Sequence, residues 1–121
     1  MISGEFNERG ELFFEIGLIA TDNEIIFVQA LLDTGFTGWL ALNQQDAESL
    51  GWVRETQSQE METAQGNAKF GLYRGKVRID GEEFGIQVVG GERLENIMLG
   101  VLWLKEKRLV VDFKAGVLTL G

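Results

Sequence analysis

The sequence predicts an all-β domain, a closed or nearly closed barrel with one or two short helices. Short apolar segments recur along the chain, and several show the two-residue alternation that is typical of strands. Glycine is frequent, with 16 residues, and proline is absent, which indicates many tight turns and no proline-rich linker. Many short strands with few helices bury a common core by closing on themselves.

Length and composition indicate one domain, residues 1–121. The chain has 121 residues, of which 45% are hydrophobic, enough for one modest core and too few for two. No internal repeat or low-complexity stretch divides the sequence.

The charge distribution argues against nucleic acid as a partner. The net charge is -8, from 19 acidic and 11 basic residues spread along the chain, so no basic face is available to neutralise phosphates. The start of the chain lacks the pattern of a secretory signal, and no apolar run is long enough to cross a bilayer. We therefore expect a cytoplasmic protein with no membrane association.

Cysteine and histidine are both absent. Their absence removes disulfides, thiol nucleophiles, serine–histidine pairs and the usual ligands of zinc, iron and copper. The acidic residues also lack the spacing of a calcium loop. Any catalysis must use carboxylates, hydroxyls, lysine or backbone groups, and we expect no metal or organic cofactor.

The first half of the chain predicts a hairpin that delivers an aspartate. In residues 11–20 the apolar residues Leu12, Phe14, Ile16 and Leu18 share one parity, while Glu15 and Gly17 interrupt the other, as in a half-buried strand. Residues 21–24 have the composition of a turn. Residues 25–32 are nearly all apolar, so we expect them to pair back on the first strand and to be more deeply buried than it. Asp33 stands where this second strand ends.

A short strand and a short helix are predicted next. Residues 38–42 form another apolar stretch, Asn43 has the side chain of a helix N-cap, and residues 44–50 have a helical composition. Gly51 ends this helix in the left-handed conformation. The segment 54–69 is then poor in large apolar side chains.

The polar segment contains Gln65, Gly66 and Asn67 near its middle, a composition typical of an exposed hairpin tip. We expect it to form a mobile cover over a binding cleft. The alternative is an ordinary polar loop.

The remaining sequence predicts two hairpins, a buried strand and a short helix. The Asp80-Gly81 dipeptide is a strong hairpin signal between two alternating segments. The predicted elements are strands at 70–79, 84–89, 96–99, 109–113 and 117–120 and a helix at 101–107. Trp39, Trp52 and Trp103 are expected to be core or interface aromatics.

The triplet Asp33-Thr34-Gly35 is the strongest candidate for chemistry. Such a short motif arises by chance, and an aspartate at a strand end also caps ordinary turns. Its setting adds weight, because an apolar strand precedes the aspartate, glycine permits a tight turn, and a second apolar strand follows. This arrangement holds a carboxylate on rigid backbone.

The segment 31–40 resembles the aspartic peptidases of the retroviral type, in which an apolar strand, Asp-Thr-Gly and a further strand recur. Residues 97–100, Ile-Met-Leu-Gly, match a second element of that family, a strand that packs beneath the catalytic loop and ends at Gly100. The polar segment around residues 65–67 occupies the position of the family's flap. The resemblance covers the chain from about residue 11 onward.

The resemblance implies an aspartic endopeptidase that cleaves peptide or protein substrates as a homodimer. On this resemblance we expect Asp33 to be the catalytic residue and Thr34, Gly35 and Thr37 to support the catalytic loop. We likewise expect Gln65, Gly66 and Asn67 to form the substrate-binding flap. Of the five aspartates only Asp33 is followed by a hydroxyl residue and glycine. A second copy of the chain must therefore supply the second carboxylate at a two-fold axis.

Three departures from the family pattern are visible. Phe36 replaces the common alanine after Asp-Thr-Gly, either filling part of a subsite or packing in the core. Val101 replaces the arginine that many viral members place after Gly100, and the C-terminus forms its own hairpin. Two alternatives therefore remain: a catalytically inactive dimerisation or peptide-binding module, and a monomeric β-barrel in which Asp33 only shapes a turn.

Overall fold

A computed structural model of the protein describes residues 1–63 and 66–121. Strands make up most of the described chain, which confirms the predicted all-β class. The strands are β1 (Ile2–Ser3), β2 (Glu5–Phe6), β3 (Leu12–Ile19), β4 (Ile25–Leu32), β5 (Leu40–Asn43), β6 (Val53–Thr63), β7 (Gly66–Ile79), β8 (Glu82–Gly91), β9 (Ile97–Leu99), β10 (Leu109–Asp112) and β11 (Val117–Leu120). The helical segments are α1 (Gln44–Ser49) and a 3₁₀ turn (Val101–Lys105).

Six strands close into a barrel. Along the large sheet the strands pair in the order β3, β4, β9, β5, β8 and β7. The ring closes because β3 also pairs with β7, through Gly17 opposite Arg78 and Leu18 opposite Val77. Closure leaves β2 and β6 outside the ring, each paired with one barrel strand. The predicted closed barrel is confirmed.

Local turn chemistry produces two of the predicted hairpins. β3 and β4 pair antiparallel from Phe13 opposite Leu31 to Ile19 opposite Ile25. β7 and β8 are joined at Asp80 and Gly81, whose φ angles of 55° and 76° are those of the mirror-image turn that matches the twist of the strands.

Burial of β4 differs from the expectation. β3, not β4, is the more deeply buried strand of the first hairpin. Ile26 and Phe27, near the start of β4, are 44% and 62% exposed. β3 is covered because it contacts strands on both sides, whereas the first half of β4 runs past the end of the short strand β9.

The ends of the described chain form a separate three-stranded sheet. β10 and β11 pair as the predicted C-terminal hairpin, and β1 joins the other side of β11, with Ile2 opposite Leu120. Neither β1 nor β2 was predicted, because two-residue strands carry no alternation. Phe6 in β2 stacks on Phe113, with ring centroids 4.5 Å apart, and so links this sheet to the barrel.

Aromatic side chains fill much of the core, as predicted for the tryptophans. Trp103 is fully buried and meets Trp39 and Phe84 edge to face, with centroids 4.9 and 5.1 Å apart. The indole of Trp52 donates a hydrogen bond to the carbonyl of Ile19, at 2.9 Å. The indole of Trp103 donates to the carbonyl of Trp39, at 2.7 Å, so both buried indole N–H groups are satisfied.

Helix α1 begins as predicted but is not capped by the side chain of Asn43. Asn43 occupies the N-cap position without a side-chain cap, since its amide binds the backbone of Leu94 in both directions, at 2.7 and 3.1 Å. Gly51 ends the helix with φ of 79°, as expected. The predicted helix at 101–107 is shorter and of the 3₁₀ type, ending at Lys105. Within the described ranges neither helical segment is long and apolar enough to cross a membrane.

The polar segment forms a long hairpin. β6 and β7 pair antiparallel, with a register irregularity between Arg54 and Ser58, and Thr63 opposite Gly66 is the last pair. Gln65 lies outside the described residues, so the predicted tip is described only at Gly66 and Asn67, the first residues of β7.

Tyr73 lies at the buried base of this hairpin. Its ring is fully buried, and the guanidinium of Arg54 lies 5.8 Å from the ring centroid. Burial raises the pKa of the Tyr73 hydroxyl, nearby Arg54 lowers it, and Glu48 raises it further. The neutral hydroxyl is therefore favoured in the folded chain.

We expect the free energy of unfolding to fall as the pH rises through the raised pKa of Tyr73, because the unfolded chain ionises first. Tyr73 is the only tyrosine, so the ultraviolet absorbance of tyrosinate reports its pKa directly. Tyr73→Phe should remove this part of the alkaline loss in urea titrations. An ordinary tyrosine pKa in the folded protein would contradict the prediction.

Candidate active site

Asp33 stands at the end of β4 and begins the loop 33–39 that leads into β5. Both flanking strands pair with the same short strand. Leu32 and Leu40 both lie opposite Leu99, the first in a parallel pair and the second in an antiparallel pair. Because β9 lies between β4 and β5, the two ends of the loop are fixed about 10 Å apart, two strand spacings.

Backbone hydrogen bonds fix the loop against β9 and the 3₁₀ turn. The amide of Asp33 donates to the carbonyl of Leu99 at 2.9 Å, and the amide of Val101 donates to Phe36 at 2.8 Å. Within the loop, the amide of Phe36 donates to the carbonyl of Asp33 at 3.1 Å. These bonds tie the aspartate backbone to two other elements of the fold and limit its movement.

Gly100 packs directly beneath this loop. Its amide donates to the carbonyl of Trp39, at 3.1 Å. A Cβ atom at position 100 would overlap the backbone of Gly38. Only glycine permits this contact between the two backbone segments without displacement.

The Asp33 carboxylate is half-buried and oriented by its own loop. Its Oδ1 accepts a hydrogen bond from the amide of Gly35, at 2.8 Å. Within residues 1–63 and 66–121, Asp33 takes part in no ion pair. The carboxylate is thus held in one direction and has solvent access from the other.

The other predicted loop residues lie beside Asp33 and face solvent. Thr34, Gly35 and Thr37 are all exposed. In the described part of the chain, Thr37 forms no hydrogen bond with the Asp33 carboxylate, so its predicted supporting contact is not seen here. Both threonines are therefore accessible to solvent.

Phe36 packs in the protein rather than projecting into solvent. Its side chain is 4% exposed and belongs to a small second core. The other members of this second core come from β5, β7, β8, β9 and the loop after β8: Ala41, Leu72, Val89, Phe70, Leu94 and Met98. The ring also lies so close to Gly38 that a Cβ atom there would meet Phe36 Cζ at 2.6 Å.

The second core connects the loop 33–39 to the β6–β7 hairpin. Phe70 and Leu72 lie on β7, and Phe36 follows Asp33 by three residues. Phe70, Leu94 and Met98 are only partly buried. The structure thus places an incompletely covered apolar surface between the loop and the hairpin, whereas the predicted flap residues Gly66 and Asn67 lie at the far end of β7.

The sequence did not single out Gly38 and Trp39 as parts of this site. The Trp39 carbonyl accepts two hydrogen bonds, from Gly100 N–H and from Trp103 Nε1 at 2.7 Å. Gly38 carries no recognisable signal in the sequence, because its contact with Gly100 joins segments about sixty residues apart. Among the described residues no group of three or more potential metal ligands lies together.

No family model matches the sequence, and the search of curated proteins finds no significant relative. Solved structures are similar in fold. A retropepsin-like aspartic protease from Rickettsia conorii is 24% identical, with a TM-score of 0.63 over 97% of this chain and 86% of that chain. The EIAV protease complexed with the inhibitor HBY-793 is 15% identical, with a TM-score of 0.62 over 88% of this chain and 98% of that chain.

The simian foamy virus protease is 20% identical, with a TM-score of 0.54 over 80% of this chain and 99% of that chain. Together these similarities show that the chain has the retropepsin-like fold, which confirms the resemblance inferred from Asp33-Thr34-Gly35 and residues 97–100.

Gly100→Ala should lower the free energy of unfolding by about 3 kcal/mol, because the new methyl group displaces the Gly38 backbone. Gly85→Ala is the matched control. A Cβ atom there meets nothing within 4 Å, so its effect should stay within about 0.5 kcal/mol. Urea denaturation measures both, and equal midpoints would contradict the predicted clash.

Proposed function

We propose that this protein is an aspartic endopeptidase that acts as a homodimer. The observation that carries the proposal is the rigid placement of one half-exposed carboxylate, Asp33, in a retropepsin-like fold. Each chain contains a single Asp-Thr-Gly triplet. Two copies related by a two-fold axis bring two Asp33 side chains together.

The chemistry of the paired site follows from electrostatics. Two carboxylates about 3 Å apart do not both ionise, so the pair shares one proton, as in aspartic proteases generally. The ionised member accepts a proton from a water molecule, and the resulting hydroxide equivalent attacks the scissile carbonyl. The protonated member polarises the carbonyl oxygen, and a proton passes to the leaving amine. The pair titrates as a unit, so neither role belongs to one subunit.

The neighbouring residues are assigned supporting roles. Thr34 is exposed next to Asp33 and is available to hydrogen-bond its own copy across the two-fold axis. Gly35 offers its backbone to the substrate, and Thr37 stands at the open side of the loop. Gly100 keeps the loop in place from below.

The β6–β7 hairpin is proposed as the cover of the substrate cleft, with Gln65, Gly66 and Asn67 at its tip. An extended peptide lying between this hairpin and the catalytic loop contacts the partly exposed apolar side chains of Phe70, Leu94 and Met98. We therefore propose peptide or protein substrates with apolar side chains near the scissile bond. The cytoplasmic location stays a prediction from the sequence.

Asp33→Asn should lower the cleavage of an unstructured protein such as casein by at least about a thousandfold, because the shared proton and the base are lost. Asp112→Asn removes the same charge at a surface turn and should leave activity unchanged. A statine-type inhibitor should block the wild-type protein, and activity should decline where both carboxylates ionise.

Sedimentation of the same protein samples distinguishes the homodimeric peptidase from an inactive binding module and from a monomer. Wild type and Asp33→Asn are both expected to form dimers. A folded dimer without cleavage at any mildly acidic to neutral pH would favour an inactive binding module instead. A strictly monomeric protein would contradict the shared site.

Phe36→Leu should lower the free energy of unfolding by about 1 kcal/mol, because the second core loses part of an aromatic ring. Phe27→Leu, at a side chain that is 62% exposed, should change the free energy of unfolding by less than about 0.5 kcal/mol.

The space that Phe36→Leu opens beside the catalytic loop should raise kcat/KM for peptides with large apolar side chains relative to peptides with small ones. An unchanged preference would argue against contact between substrate and second core.

A further inference from the structure

An apolar pocket opens at the end of the barrel opposite to Asp33. Its volume is about 290 Å³. Aliphatic side chains from β3, β4, β9, the turn after β3 and the C-cap of α1 form its wall and floor: Leu18, Ala20, Ile26, Val28, Leu50 and Ile97. Ile26 and the catalytic residue stand at opposite ends of β4, about 20 Å apart along the strand. This distal pocket is therefore separate from the candidate active site.

The floor of the distal pocket is rigid, and its wall is incompletely covered. Leu18 and Leu50 are 3% and 5% exposed and belong to the main core. Ile26 is 44% exposed, although its side chain has the same parity as the buried residues of β4. An apolar side chain placed in the pocket would remove this aliphatic surface from water at little cost in reorganisation.

The rim of the distal pocket is acidic. Asp22, Glu24 and Asp46 line it, and none of its lining residues is basic. All three acidic residues are exposed. Within the described ranges none of the three takes part in an ion pair. Three like charges around an apolar floor create a field that attracts a cationic group held beside an apolar one.

We propose that the distal pocket binds a basic peptide segment in which an apolar side chain is flanked by lysine or arginine. The apolar side chain fills the pocket, and the flanking cations lie against Asp22, Glu24 and Asp46. The volume suits one or two side chains rather than a larger organic ligand. Binding at this site does not depend on peptidase activity.

The test uses Asp33→Asn protein, which keeps the distal pocket and prevents cleavage. A short blocked, fluorescent peptide with one leucine between two arginines is titrated by anisotropy. We expect saturable binding that weakens with salt. Replacing leucine by serine should weaken binding by about tenfold, and replacing both arginines by glutamate should abolish it.

Protein variants locate the site. Asp46→Asn combined with Glu24→Gln should weaken binding by about tenfold, since each rim charge contributes a few-fold. Glu82→Gln, at the exposed start of β8, removes one charge elsewhere on the surface and should leave the affinity unchanged. Amide NMR shifts should be confined to residues around Ile26, Ser49 and Ile97.

The proposal is overturned if the peptide does not bind below about 1 mM, or if the rim variants bind it as tightly as the control. Shifts centred on Gly35 and Gly38 would also overturn it, because the peptide would then occupy the proposed active site. Each of these results is independent of whether the wild-type protein cleaves casein.

Discussion

The strand β9 between β4 and β5 is the constraint on which the rest of the candidate site depends. Leu99 pairs with Leu32 on one side and with Leu40 on the other, so three residues of β9 fix the position of a seven-residue loop. Gly100 then brings the chain against the backbone of Gly38. The orientation of the Asp33 carboxylate follows from this packing and from the hydrogen bond with Gly35, and among the described residues no ion pair holds it.

The same arrangement divides the apolar interior. The main core occupies the inside of the barrel, while the second core around Phe36 lies on the other face of β5, β7 and β8. Alternation explains this division, because Leu40 and Leu42 point to one face and Ala41 to the other. The loop 33–39 therefore rests on one apolar cluster and contacts another, and its remaining side faces solvent.

The sequence predicted those parts of the fold that local chemistry determines. The turn at Asp80-Gly81 and the hairpin of β3 and β4 were predicted because their signals lie within a few adjacent residues. The parallel pairing of β4 with β9 was not predicted, since its residues are more than sixty positions apart. Asn43 shows the same limit: its amide matches an N-cap, but the nearby Leu94 backbone binds it instead.

For the candidate site, the motif around Asp33 and the strand ending at Gly100 were both identified from sequence, and the structure brings them into contact. Gly38 was missed because a glycine is informative only when its neighbour in space is known. The prediction that β4 is more deeply buried than β3 was wrong for a related reason. An apolar composition predicts burial only where another element is present to cover the strand, and β9 is too short to cover Ile26 and Phe27.

The pairing of Leu99 with both Leu32 and Leu40 also limits where residues can be inserted or deleted. Residues 33–39 span two points whose separation is set by β9, so an inserted or deleted codon there must shift Asp33 or break a strand pair. The turn between β10 and β11 has no such requirement, because Gly116 faces open space. Among natural variants of this protein, length differences should accumulate at that turn and be absent from the loop that carries the carboxylate.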